Sequence, residues 1–450
     1  MTDRKESALG EKIRLYPVTR IQGRADIEIL FTPQQVVAEA RFRALETRGI
    51  ERMVVGKPAL RVPQILARTC GACGPFHQLA SAMAIESACG VEVPEDATSH
   101  RETLCWLFLA ATQIKTMIFQ ILPDFALPMS DAAVKNITGI YMVDQESVSR
   151  LSSVLVSIDK ALEELSRNRF HPGAIVVGGV SGLPDQAAVD RALELLDGCA
   201  DNLHESMRLA EMLTRRESKM VKSDVSLEGF YMTTTDAGRP AILGNEITCA
   251  PFAGGEESTM EFKEFLASIE ERPVPWFYLK PLAVTGFEPC MVGSLARVNV
   301  GFGPDTPVAE LECDRVLEQW GHPLDREHFL LAALALEAIW GWEKAKNLLA
   351  EGAADAREAC AGARLSASNG FAVLDSPGGV LAHAVSLGSD GAVSSYKIMS
   401  PLQFNGILMN SYLSRVAGET VMGIEVSDAA ASRLARAVRS FNPCVPCGTH

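Results

Sequence analysis

Arg68-Thr69-Cys70-Gly71-Ala72-Cys73-Gly74-Pro75-Phe76-His77 lies near one end of this chain. Asn442-Pro443-Cys444-Val445-Pro446-Cys447-Gly448-Thr449-His450 lies at the other. Each stretch carries a Cys-x-x-Cys pair. If folding joins the pairs, four thiolates surround one point, and soft thiolates select soft or borderline metals. A buried metal centre with four sulfur ligands is therefore the leading expectation. A structural four-thiolate zinc site is the rival, but zinc ribbons keep their cysteine pairs close in sequence. From Pro75 onward the pattern turns helical, so Cys73 and His77 are expected where a loop becomes a helix, about one turn apart.

The rest of the chain bounds the function. Of 450 residues, 47% are apolar and 22% charged, which is enough for a large globular core. Lys plus Arg is 42 against 56 Asp plus Glu, a net charge of −14. That excludes a general nucleic-acid binder or an anionic membrane surface as main partner. The opening Met1-Thr2-Asp3-Arg4-Lys5-Glu6-Ser7 is polar, so no signal peptide is expected. Residues 104–122 form the most apolar stretch. Thr112, Gln113, Lys115, Thr116 and Gln120 interrupt it, which favours a buried amphipathic helix over a membrane span. Cys89, Cys105, Cys199, Cys249, Cys290, Cys313 and Cys360 read as buried free thiols in a reducing compartment.

Alternation over residues 13–31, with Gly23 between, predicts a strand, a tight turn or bulge, and a second strand; residues 34–43 continue strand-like. Apolar spacings of three and four predict helices over 98–122, 144–167, 185–220 and 326–351, and two more over 405–418 and 427–440. Residues 223–310 read as short strands and long loops. Residues 369–398 read as strands turned at Gly378-Gly379 and Asp390-Gly391.

Taken together, these elements resemble the large subunit of the [NiFe] hydrogenases. The resemblance is carried, in order, by six segments. They are Pro17-Val-Thr-Arg-Ile-Gln-Gly23, Arg48-Gly-Ile-Glu51, the segment from Arg68 to His77, Phe170-His-Pro172 with Gly178-Gly179, Pro377-Gly-Gly-Val-Leu-Ala-His383, and the C-terminal tail. It implies a mainly α fold with α+β flanks and a central helical bundle. It also implies one interwoven unit over 1–450: a β-rich part at 11–66, a helical core at 75–220, a mixed β and loop part at 223–310, and a C-terminal helical part with the metal-binding tail at 326–450.

The resemblance further implies that Cys70 and Cys444 are terminal nickel ligands, and that Cys73 and Cys447 bridge nickel to an iron carrying carbon monoxide and cyanide. His77 would donate a hydrogen bond to the sulfur of Cys73. Glu51 and His450 would hold Mg2+ or a similar hard cation. The plain alternative for Glu51 is a salt bridge with Arg48 or Arg52. The family commonly loses a precursor tail after its terminal His, here His450. The implied reaction is heterolytic cleavage or formation of H2 in a cytoplasmic multisubunit complex. No spare cysteine cluster is left to carry electrons away, so an iron–sulfur small subunit is implied, with further electron-transfer subunits beyond it.

Departures from the family pattern surround the cysteines. The proton-transferring Glu beside the cysteine nearest nickel is Gln22, and an amide has no protonated and deprotonated pair of states. The Arg of Pro-Arg-Gly is Gly378, and the Asp of Asp-Pro-Cys is Asn442. The hydroxyl residue expected after Pro401 is Leu402. These changes remove charges of both signs while keeping all four cysteines. The alternative readings are a remodelled paralogue serving as an H2 sensor or structural subunit, or an oxidoreductase for another small molecule. Without Glu at position 22, Asp124 and Glu51 are the candidates for proton exit.

Overall fold

In the computed structural model, residues 10–128, 133–168, 173–220, 228–301, 303–351 and 358–450 are described. The fold is mainly α with α+β flanks, built around a central helical bundle. The Phe170-His-Pro172 segment lies outside the described residues.

Strands Lys12–Leu15, Ala25–Phe31 and Val37–Ala44 form an antiparallel meander. One face of the middle strand buries Ile27, Ile29 and Phe31. The other face buries Asp26 and Glu28, which Arg43 neutralises at 2.8 and 3.0 Å. Buried carboxylates are tolerable only when paired in this way. Gly23 provides the predicted turn at φ 91°, and a Cβ there would stand 2.7 Å from the Val445 side chain. Only glycine lets this turn pass so close to the C-terminal tail.

The bundle is built on helix Glu95–Thr116, which packs along Leu330–Glu351 and against Gln145–Ser166. Trp106 and Trp340 meet at 4.7 Å between ring centroids, a contact worth about 0.5–1.5 kcal/mol beyond area burial. The helix continues through a π turn at Met117–Ile121 into Leu122–Ala126. Pro123 lacks the N–H that an unbroken α ladder needs there. This helix is long and apolar enough to cross a membrane, yet 89% of its apolar window is buried inside the fold. It is the core helix expected over 104–122.

Three departures from expectation have physical causes. The single helix expected over 185–220 is two, Gln186–Asp197 and Ala200–Met220. The break falls at Gly198, a weak helix former, and the indole of Trp342 donates to the freed Leu196 carbonyl at 2.8 Å. Within 223–310, short helices Phe262–Ser268 and Ser294–Asn299 accompany the strands. Helix Pro307–Trp320 was not anticipated: its first turn is capped by a distant carboxylate, Glu343, which accepts from the Val308 and Ala309 amides at 3.0 and 2.9 Å. No local pattern announces such a cap. Cys360 is exposed and Cys89 half-buried, so the expectation of buried thiols holds for Cys105, Cys199, Cys249, Cys290 and Cys313 but fails for Cys360.

Strands Ser368–Ser376, Gly379–Leu387 and Val393–Met399 form the antiparallel sheet predicted for 369–398. Helix Gly74–Cys89 lies directly on it. At Gly370 an added Cβ would sit 2.2 Å from the Ala84 carbonyl oxygen, so glycine sets that close approach. Helices Pro401–Thr420 and Asp428–Arg439 close the fold. The first is started by a reciprocal cap between Ser400 and Gln403.

His328 gives the core an acid-labile point. It is buried, and neither ring nitrogen has a hydrogen-bond partner. Burial, with Arg436 nearby, holds its pKa down from 6.5 to about 4. Below pH 6.5 the unfolded chain takes up this proton and the folded chain does not, so stability falls until pH 4 and then levels. The full effect is roughly 3 kcal/mol at 1.36 kcal/mol per pKa unit. His328→Leu should flatten the fall in urea midpoint between pH 6.5 and 4. Parallel pH profiles for the two proteins would refute this assignment.

Candidate metal centre

The two cysteine pairs meet. The four sulfur atoms lie within 4.8 Å of one another, all buried. Cys444 Sγ is 3.2 Å from Cys70 Sγ and 2.7 Å from Cys447 Sγ, and none of the four forms a disulfide. Each pair is shaped by a short turn. Cys73 immediately precedes helix Gly74–Cys89 and its carbonyl accepts from the Phe76 and His77 amides, both at 3.0 Å. Cys444 precedes the one-turn helix Val445–Gly448, and its carbonyl accepts from the Cys447 amide at 3.2 Å. Cys-x-x-Cys spacing puts both sulfurs on the same side of such a turn.

Gln22 joins the two halves. Its backbone pairs with Cys444 as an isolated bridge, and its carbonyl accepts from the Val445 amide at 2.9 Å. Its side-chain oxygen accepts from the Cys70 thiol at 2.9 Å. The amide therefore addresses Cys70, while only the backbone of Gln22 lies against Cys444. Hydrogen bonds from Cys444, Cys447 and Cys73 hold the Cys70 thiol well below the ordinary range. Burial pushes Cys444 and Cys447 well above it. Burial therefore opposes ionisation of most of the cluster. A soft cation offsets this by supplying the missing positive charge, so the donor set fits a soft metal.

Beside the sulfurs is a closed cavity of about 10 Å³, room for about one water. Its wall includes Cys73, His77, Gly378, Leu402, Asn442 and Cys444. Gly378 and Asn442 therefore face one space, as expected if both charges were lost together. Leu402 lines it too, whereas the Ser400 hydroxyl is engaged by Gln403 at 3.1 Å. No lining side chain other than the thiols and His77 can carry a charge.

Glu51 and His450 also come together. Glu51 Oε1 is 3.2 Å from His450 Nδ1 and accepts from the Ile398 amide at 2.7 Å. His450 Nε2 is 3.0 Å from Gln403 Oε1. Glu51 makes no ion pair with Arg48 or Arg52. Burial opposes its ionisation, but the hydrogen bond and charge of His450 prevail and its pKa is lowered. One carboxylate, one imidazole and one amide oxygen form a donor set that suits a hard cation. Deleting His450 should cost about 1–3 kcal/mol, the range for a buried hydrogen-bonded group. It should also abolish any stabilisation by added Mg2+, read as the thermal midpoint with and without chelator. An equal response to chelator in both proteins would exclude a shared cation.

Asp124 is not among the residues that line the cavity. It is buried and clamped by Arg20 at 2.5 Å and by Arg439 at 2.8 Å. Burial raises its pKa, but the charges of Arg439 and Arg20 outweigh this and hold it lowered. Pairing with two guanidiniums favours its charged form. The carboxylate ties Arg20, two residues before Gln22, to Arg439 at the end of the helix leading to Cys444.

Sequence reasoning missed the roles of His383, Tyr396 and Gln403. His383 Nε2 is 3.0 Å from His77 Nδ1, and its own Nδ1 is 2.8 Å from the Tyr396 hydroxyl. His383 closes the Pro377–His383 segment, the one signal that could have drawn attention to it.

Comparison with known proteins agrees with this geometry. The family model described as nickel-dependent hydrogenase matches residues 48–118. The chain is 26% identical to a subunit of the F420-non-reducing hydrogenase vhu of Methanocaldococcus jannaschii over 411 residues, 90% of this chain and 98% of that protein. The chain is thus similar, over nearly its whole length, to subunits of nickel-dependent hydrogenases. It is also 23% identical to the NAD-reducing hydrogenase HoxS subunit beta of Cupriavidus necator, over 98% of this chain and 95% of that one. The fold superposes on an NAD+-reducing [NiFe]-hydrogenase crystallised in its H2-reduced state, with a TM-score of 0.90 at 22% identity, covering 98% of this chain and all of that one. At that identity the structural match speaks for the fold alone. Read with this similarity, the four clustered cysteines fit a nickel–iron site.

Proposed function

We propose that this chain is the metal-bearing large subunit of a cytoplasmic [NiFe] hydrogenase complex that splits or forms H2 heterolytically. The observation that carries the reading is the convergence of four buried thiols, from opposite ends of the chain, on a closed cavity the size of a water molecule. Cys70 and Cys444 would be terminal nickel ligands, and Cys73 and Cys447 would bridge to an iron bearing carbon monoxide and cyanide. Once bound, that centre supplies the redox and Lewis-acid chemistry that polarises H2. The chain excludes bulk water, holds the sulfurs in register through Gln22, and presents His77 to the cavity. Glu51 and His450 would hold Mg2+, anchoring the tail that carries Cys444 and Cys447.

Electrons need a route out. Among the described residues no second group of clustered metal-ligating side chains offers one. An iron–sulfur small subunit is the fitting partner, with further electron-transfer subunits beyond it. The stretch of chain before Cys70 supports this. Arg24, Arg48, Arg52, Lys57, Arg61 and Arg68 are exposed within it, with Met53, Val55 and Leu60. None of the six cations forms an ion pair among the described residues. In a chain of net charge −14, such an exposed basic and apolar segment suits a complementary protein surface.

A second reading, a sensor or a remodelled oxidoreductase, is favoured by Gln22, Gly378 and Asn442, which leave the cavity without the usual carboxylate and guanidinium groups. Metal analysis, infrared spectroscopy and an H2/D2 exchange assay on the purified complex separate the readings. Nickel with carbon monoxide and cyanide bands and rapid exchange supports the hydrogenase. The same bands with negligible exchange favour the sensor, and zinc without bands rejects both.

A further inference from the structure

One ring nitrogen enters the wall of the metal cavity without a partner. His77 is fully buried and lines that cavity, and its Nε2 has no hydrogen bond. Behind it runs a line of equally buried groups: His77 Nδ1 to His383 Nε2 at 3.0 Å, then His383 Nδ1 to the Tyr396 hydroxyl at 2.8 Å. The three side chains come from three elements, helix Gly74–Cys89 and strands Gly379–Leu387 and Val393–Met399. Both rings are fully buried, and burial disfavours the charged imidazolium.

A neutral imidazole has one N–H and one lone pair, so the line permits two proton arrangements. In the first, Tyr396 donates to His383 Nδ1, His383 Nε2–H donates to His77 Nδ1, and His77 Nε2–H points into the cavity. In the second every bond is reversed, and the lone pair of His77 Nε2 faces the sulfurs.

Two observations select the first. The Tyr396 phenol is buried and keeps its proton, since burial raises its pKa. His383 Nδ1 is the acceptor at good distance, while the Ser81 hydroxyl beside it forms no hydrogen bond of sound geometry. The second arrangement strands that phenolic proton, at a cost of about 1–3 kcal/mol. It also points a lone pair at sulfurs that metal binding would make anionic, whereas an N–H there gains a charge-assisted hydrogen bond.

We infer that Tyr396 and His383 are positioning residues that fix His77 as its Nε2–H tautomer and so hold a hydrogen-bond donor against the thiolate site. The assignment of the tautomer stands on the hydrogen-bond line alone. Its consequence for the sulfurs rests on the metal reading proposed above.

The full chain labelled with 15N-histidine tests this. Its eight histidines give long-range nitrogen–proton correlations that distinguish Nε2–H from Nδ1–H, and the His77 signal is identified by its loss in His77→Gln. Wild type should show Nε2–H at both His77 and His383. In Tyr396→Phe, which keeps the ring and removes the donor, His383 should shift toward Nδ1–H and His77 should follow. In metal-loaded protein the carbon monoxide band should move to lower wavenumber in that variant, because the sulfurs regain electron density. An Nδ1–H His77 in wild type overturns the inference, and so do unchanged tautomers in Tyr396→Phe. The wild-type result decides the matter if the variant does not fold. Nickel content is read separately: a chain that binds no nickel but shows the tautomer shift keeps the positioning role and rejects the metal reading.

Discussion

Cys444→Ser is expected to reduce bound nickel from stoichiometric to trace and to remove the stabilisation that metal loading confers. Cys444 is the sulfur that closes the cluster, 3.2 Å from Cys70 and 2.7 Å from Cys447. A serine hydroxyl is a hard, weakly acidic donor and does not replace a thiolate for a soft metal. In the metal-free chain the exchange is nearly isosteric, so the bare protein should keep its fold. The difference appears on loading. A ligand at a thousand times its Kd stabilises by about 4 kcal/mol, and the variant should forgo that gain. Metal analysis with paired thermal midpoints reads both quantities. Stoichiometric nickel retained in Cys444→Ser, with an unchanged midpoint, would show that the four sulfurs do not form one site.

Gln22→Glu is expected to raise H2/D2 exchange by roughly 10²–10⁴-fold, the usual worth of a positioned acid–base group. The backbone of residue 22 is anchored by its bridge to Cys444. The new carboxyl should therefore take the amide's place, 2.9 Å from the Cys70 sulfur, with Cys444 a further 3.2 Å away. There it can accept a proton from the Cys70 thiol, which the amide cannot. Position 22 is only half-buried, so a proton reaching it is close to solvent. Unchanged exchange in a variant that keeps its metals would mean that protons leave elsewhere, or that Gly378 and Asn442 have already removed H2 activation.

Much of the fold was legible because its signals are local. The strand pair around Gly23, the helices at Gln145–Ser166 and Leu330–Glu351, and the sheet turned at Gly378 and Asp390 all follow from periodicity and turn residues. Where the reading failed, a distant group had intervened. Glu343 caps helix Pro307–Trp320, and Trp342 takes the carbonyl at the break near Gly198. The pairing of Asp124 with two arginines from opposite ends of the chain was equally unreadable in sequence.

The site divides along the same line. Ligand chemistry is a property of residue types, so the sequence by itself determined the four cysteines, the His one turn beyond Cys73, and the loss of charge at positions 22, 378 and 442. Only the tertiary structure decided that the amide of Gln22 meets Cys70, that Glu51 reaches His450, and that His77 turns its back on His383 and Tyr396 to present one nitrogen to the cavity. Hydrogen bonds hold over about three ångströms whatever the distance along the chain. Which partners they join is set by how helices and strands pack, and no local pattern of residues records that.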